Sequence, residues 1–131
     1  MRLRIYLVED SPVIRQALTE SLQELVGARV VSSASTEEEA CQWLAENPTA
    51  WDLAVIDLFL IQGSGLNVVK NCGTRELRQK VVVLTGYATP TMRQRGLAAG
   101  ADAIFDKATE IDEFTSYAIN EVDRAAGETA Y

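Results

Sequence analysis

The residues of this chain best suited to chemistry follow short apolar runs: Glu9-Asp10 after residues 3–8, Asp57 after 53–56, Thr85 after 81–84, and Lys107 shortly after 103–105. If those runs are parallel strands, each residue lies at a carboxyl end, the edge where open α/β sheets form their ligand crevices. One at a time, each has an ordinary explanation. Glu9-Asp10 favours the start of a helix, Asp57 is a loop residue or cap, Thr85 beside Gly86 is a strand-to-loop transition, and Lys107 is a solvated charge. Their recurrence at one edge makes that crevice the candidate active site.

The carboxylates of Glu9, Asp10 and Asp57, brought into one crevice, repel one another and call for a compensating cation. All-oxygen ligation with few protein groups suits Mg²⁺, which keeps waters and leaves room for a phosphate; Mn²⁺ can substitute, and zinc is not supported. Asp57 can attack phosphorus to give an aspartyl phosphate. The metal and the Lys107 ammonium would neutralise charge on the phosphoryl oxygens, and the Thr85 hydroxyl would donate a hydrogen bond to them.

Composition narrows the alternatives. The chain has 131 residues, the length of one domain, and is 47% hydrophobic and 24% charged, the balance of an ordinary globular protein with a real core. No apolar run approaches the roughly 20 residues that span a bilayer, and the run at the start is too short for an export signal. The histidine count is zero, which excludes a Ser/His/Asp or Cys/His nucleophile system and any imidazole metal ligand. A net charge of −7 argues against direct binding to nucleic acid. Cys41 and Cys72 have neither metal nor redox spacing and read as small apolar residues in a reducing cytoplasm.

Along the chain, strand-like runs alternate with helical patterns, as in a parallel sheet with crossover helices. After the strand at 3–8, Ser11-Pro12 opens a helix with Ile14, Leu18, Leu22 and Leu25 at helical spacing, ending at Gly27. Residues 28–34 form a more polar edge strand. Ser35 or Thr36 caps a second helix with Ala40, Trp43 and Leu44 inward, and Pro48 ends it. The runs 53–56 and 81–84 read as buried central strands. Between them, Gly63-Ser64-Gly65 leads into a short helix carrying Leu66 and Val69. Thr89-Pro90 opens a helix that Gly100 closes. A fifth strand at 103–105 follows, and Thr109 caps a last helix with Ile111, Phe114, Ala118 and Val122 inward. The expectation is five strands and five helices, a domain over 1–125 and a short tail over 126–131.

The segments Val8-Glu9-Asp10-Ser11, Val55-Ile56-Asp57-Leu58, Val83-Leu84-Thr85-Gly86, Gly100-Ala101-Asp102 and Asp106-Lys107 together resemble the receiver domain of two-component response regulators, the CheY-like fold. The resemblance covers essentially the whole chain. It implies a three-layer α/β/α, flavodoxin-like architecture with strand order 2-1-3-4-5. It further implies that Asp57 takes a phosphoryl group from a phosphohistidine on a sensor histidine kinase or a phosphotransfer protein. Glu9, Asp10 and Asp57 would hold Mg²⁺, with the Phe59 backbone carbonyl as a further ligand. The missing histidine then means that the phosphodonor imidazole belongs to a separate protein.

This chain departs from the family pattern at several positions. Ala108 stands where proline usually follows the lysine, Ile104 stands at the usual switch aromatic, and Ile61 replaces a proline after the acceptor. Phe105 is expected on the opposite face of its strand, and Tyr87 reads either as a gate to the site or as simple cover for the crevice. Six basic residues between Lys70 and Arg95, against the single acid Glu76, read as a solvated face or as a docking surface for an acidic partner. No effector segment is expected after residue 125, so output would pass through a downstream protein, a homodimer or a separate domain. The rival to a phosphorylated receiver is an interaction module of the same fold that is not phosphorylated. An enzyme fits less well, because residues 9–12 are not a flavodoxin phosphate loop and Phe59 occupies the second-Asp position of a haloacid-dehalogenase-type phosphatase.

Overall fold

A computed structural model describes residues 2–129 of the chain. Strand β1 (Arg4–Val8) leads into helix α1 (Pro12–Ser21), which a π-helical turn (Leu22–Val26) prolongs. There follow β2 (Arg29–Ala34), α2 (Glu37–Glu46), β3 (Leu53–Ile56), α3 (Gly65–Asn71), β4 (Lys80–Thr85), α4 (Pro90–Ala99), β5 (Ala103–Asp106) and α5 (Ile111–Thr129). All neighbouring strands pair in parallel, and the sheet order is β2-β1-β3-β4-β5. This is the expected architecture. Among the described residues, no helix is long and apolar enough to cross a membrane.

The layers follow from strand alternation. Tyr6, Val8, Ala54, Ile56, Val81, Val83 and Ile104 face a core shared with Ala40, Leu44, Val68, Val69 and Cys72. Ile5, Leu7, Leu53, Val55, Val82 and Leu84 face the opposite core, closed by Leu22, Val26, Phe114 and Ala118. Because both faces are covered, β3 is buried at every position, which is why it reads as an unbroken apolar run. The edge strand β2 is only partly buried and correspondingly polar. Within the second helix, Trp43 stays half-buried and stacks on Tyr6 with ring centroids 4.1 Å apart.

Helix ends are chemically specified. Ser11 Oγ accepts from the Ile14 N–H, and the helical run closes at Gly27, whose φ of 76° suits a residue without Cβ. Thr36, rather than Ser35, caps α2 by accepting from the Glu39 N–H, while the Ser35 N–H donates to Glu39. Thr89 accepts from the Met92 N–H at the start of α4, and Gly100 closes it. Thr109 does not cap α5. It sits in a turn where Asp106 Oδ1 accepts from the Ala108 and Thr109 N–H groups, and the helix begins two residues later. Helix α5 continues through Thr129, so residues 126–129 are helical; Ala130 and Tyr131 lie outside the described residues.

At the amino-terminal edge of the sheet, Asp52 joins three segments. It accepts from the Arg4 backbone N–H at 2.8 Å and from the Arg4 guanidinium at 3.1 Å, and it pairs with Arg78. Burial disfavours the Asp52 charge, but the Arg4 hydrogen bonds and the two guanidinium charges outweigh it and hold the carboxyl below its ordinary 3.8. A carboxyl lowered by folding contributes stability that is complete above 3.8 and is lost as pH falls through its folded value. Asp52→Asn is therefore expected to lower the unfolding free energy by about 2 kcal/mol at neutral pH, measured by urea denaturation. The gap between the two proteins should close as the pH is taken below 3.8.

Candidate functional site

The backbone ladder runs one residue past the strands and carries the site with it. The Glu9 N–H donates to Ala34 O at 3.0 Å, the Asp57 N–H to Val8 O at 3.0 Å, and the Lys107 N–H to Thr85 O at 3.0 Å. Three residues far apart in sequence are thereby fixed on one edge, where the sheet order reverses between β1 and β3. Glu9 and Asp57 are buried, Thr85 is fully buried as the last residue of β4, and Asp10 and Lys107 are half-buried.

The Lys107 ammonium donates to Asp57 Oδ2 at 2.9 Å and also to Glu9 Oε1. Glu9 Oε2 accepts from the Ser11 N–H at 3.0 Å, and Arg15 donates both to the Glu9 carbonyl and to Ser35. Burial works against the Lys107 charge, but the hydrogen bonds to Glu9 and Asp57 and the two carboxylate charges outweigh it. The ammonium is held above its ordinary 10.5 and stays charged across the physiological range.

Glu9, Asp10 and Asp57 each present a carboxylate oxygen, and these oxygens all lie within 4.8 Å of one another. Such a set of hard oxygen donors fits a small divalent cation that keeps part of its water shell. Asp57 Oδ1 accepts from the Phe59 N–H at 3.2 Å, and Thr85 Oγ1 accepts from the Tyr87 N–H at 3.3 Å. In each case the residue two positions further on anchors a site side chain through its backbone. The rings of Phe59 and Tyr87 then meet edge to face, with centroids 4.8 Å apart.

Gly65 was not singled out for the site by sequence reasoning, although the Gly63-Ser64-Gly65 run was visible. A Cβ on Gly65 would lie 1.9 Å from the Asp57 carbonyl oxygen, and its N–H donates to Leu58 O. The first turn of α3 can therefore press against the backbone of Asp57 only through a glycine. Glu37 supports the same loop by accepting from the Ser64 N–H at 2.8 Å.

The departures noted in the sequence have specific places. Ile104 is buried beneath α4, where a Cβ on Gly96 would come within 2.5 Å of its δ-methyl. Phe105 faces the other core, with Phe114 and Tyr117 at 6.0 and 5.8 Å. Ala108 supplies an N–H to Asp106 that a proline could not. Ile61 is exposed. Three of the six basic residues are structural: Arg75 bonds Asp102 and the Gly100 carbonyl, Arg78 pairs with Asp52 and Glu76, and Arg93 pairs with Glu110.

A doubly wound sheet with an acidic pocket at its switch point, faced by a lysine from the last strand, defines a class of α/β ligand-binding domains. Comparison with known sequences is more specific. The response regulator receiver domain family matches residues 5–119, and the chain belongs to that family. It is 25% identical over 114 residues to the response regulator UvrY of Escherichia coli, covering 87% of this chain and 51% of that protein. It is 33% identical over 108 residues to the gliding motility regulatory protein of Myxococcus xanthus, covering 81% of this chain and 13% of that protein. The chain thus spans about half the length of UvrY. Among solved structures, a LuxR-family DNA-binding response regulator from Staphylococcus aureus superposes with a TM-score of 0.78 at 20% identity, over 92% of this chain and 98% of that one. A response regulator protein from Burkholderia pseudomallei, with a phosphorylated aspartic acid, a calcium ion and citrate, gives 0.76 at 20% identity over 98% of this chain and 73% of that one. These two likenesses concern the fold.

The close approach at Gly65 makes a sharp prediction. Gly65→Ala should lower stability by about 3 kcal/mol in urea denaturation, because the clash is with backbone and not with a side chain that can turn away. Gly86→Ala, where a Cβ meets nothing within 4 Å, should change it little.

Proposed function

We propose that Asp57 accepts a phosphoryl group from a phosphohistidine on a separate sensor histidine kinase or phosphotransfer protein, in a Mg²⁺-dependent reaction. The observation that carries this reading is the Lys107 ammonium bonded at once to Asp57 and Glu9, with the Asp10 carboxylate at the same pocket. A nucleophilic carboxylate is thereby held beside a permanent positive charge, where negative charge builds up during phosphoryl transfer. An Asp57 oxygen forms a bond to phosphorus as the donor's N–P bond breaks, and the bonding pair returns to the imidazole nitrogen.

Glu9, Asp10 and Asp57, with the Phe59 carbonyl, are the residues that would hold Mg²⁺. Bound there, the ion supplies neutralising charge to the phosphoryl oxygens. The Thr85 hydroxyl keeps a hydrogen to donate to the same group while it accepts from Tyr87. The phosphorylated chain shifts between conformer populations and signals to a downstream protein. It acts on its own aspartate and turns over no external substrate. A cytoplasmic location and the absence of direct nucleic-acid binding belong to the same reading, the latter supported by the net charge of −7.

Intact-mass spectrometry with Mg²⁺ and a small phosphodonor should show one added phosphoryl group, lost in Asp57→Ala and on chelation of the metal. No mass change with Asp57 intact would favour an interaction module that is not phosphorylated.

A further inference from the structure

Glu9 and Asp10 are neighbours in the chain, yet both carboxylates reach one pocket. Successive side chains of an extended strand point to opposite faces, so this convergence depends on the bend at Asp10 and on the orientation of the peptide that joins the two residues. The Glu9 N–H is still held by the sheet ladder, donating to Ala34 O at 3.0 Å. The Glu9 carbonyl, which belongs to the joining peptide, lies beyond the ladder. Among the described residues, no backbone N–H donates to it. Its partner is the Arg15 guanidinium, whose Nη1 donates to it at 2.9 Å and to Ser35 Oγ at 2.7 Å.

Both ends of this clamp are themselves fixed. The Arg15 N–H donates to Ser11 O at 2.9 Å in the first turn of α1, and the Ser35 N–H donates to Glu39 of α2 at 2.9 Å. Among the described residues, no carboxylate pairs with this guanidinium. A cation next to an acidic pocket is thus bonded to a backbone carbonyl and a hydroxyl, an arrangement that orients a peptide and neutralises no acid.

We infer that Arg15 is a positioning residue for the cation site: it fixes the Glu9–Asp10 peptide and so aims the Asp10 carboxylate at the pocket. The inference rests on the reading that Glu9, Asp10 and Asp57 hold Mg²⁺. Glu9 is 2% exposed, so without Arg15 its carbonyl would be unpaired and the peptide would turn toward another donor, carrying Asp10 away from Glu9 and Asp57. Groups that orient metal ligands account for about ten- to a hundredfold in metal affinity. Charge alone gives the opposite sign, because a guanidinium near the pocket repels a dication and its removal would tighten Mg²⁺ binding.

The test is a Mg²⁺ titration of the metal-free protein, followed by the shifts of its backbone amides in NMR spectra. Arg15→Met keeps the apolar stem and loses both bonds, and should weaken Mg²⁺ binding by about ten- to a hundredfold. In an Asp10→Ala background the same substitution should leave the already weakened affinity within about twofold, because the ligand through which Arg15 acts is gone. Thermal melts of all variants ensure that folded proteins are compared. Mg²⁺ binding in Arg15→Met as tight as in the parent, or tighter, overturns the inference. An equal loss in both backgrounds also overturns it, since a merely structural arginine would weaken the site whether or not Asp10 is present. A parent chain that binds no Mg²⁺ overturns the metal reading and, with it, the role given to Arg15.

Discussion

One ammonium group holds this site together. Glu9 and Asp57 are buried carboxylates on neighbouring strands, and with Asp10 they bring three negative charges within 4.8 Å. Such a cluster would be costly to bury without opposite charge. Lys107 supplies that charge from β5, the far edge strand, by reaching across β4 to both carboxylates. The bonds close only if the strand order is right, because they link residues 98 and 50 positions apart. The topology and the electrostatics of the pocket therefore impose one another.

The rest of the molecule keeps that edge in place. Apolar residues on both faces of the sheet leave the strands no freedom to slip, since a slip of one residue would turn every core side chain toward the wrong layer. Arginines secure the periphery: Arg78 and Arg4 clamp Asp52 at the amino-terminal edge, Arg75 ties the segment after α3 to Gly100 and Asp102 in the turn after α4, and Arg93 links α4 to Glu110 before α5. Three of the six basic residues between Lys70 and Arg95, namely Arg75, Arg78 and Arg93, belong to this scaffolding.

Where the sequence was legible, a single physical signal dominated. The unbroken apolar run of β3 and the polar residues just past the strand ends follow from burial on both faces and from where backbone ladders stop, so sheet and crevice could be read together. The start of α5 was less legible, because Thr109 is a good cap by type but Asp106 claims the nearby N–H groups first. Its end was obscured by polar residues after Val122, which weaken the apolar pattern although the helix continues to Thr129. The role of Gly65 and the meeting of Phe59 with Tyr87 depend on distances between segments, which spacing along a chain does not encode.

The departures from the family pattern have definite places around the site. Ile104, at the position where the family pattern leads one to expect an aromatic, is buried in the core against Gly96, and the exposed rings of Phe59 and Tyr87 meet in the loops after β3 and β4. The contact on which the pocket itself depends is the bridge from Lys107 to Glu9 and Asp57. The most direct measurement of that bridge is an NMR titration of the Lys107 ammonium in the parent chain and in Asp57→Asn. The account predicts a midpoint above 10.5 that falls when the Asp57 charge is removed; a midpoint at or below 10.5, unchanged in the variant, would contradict it.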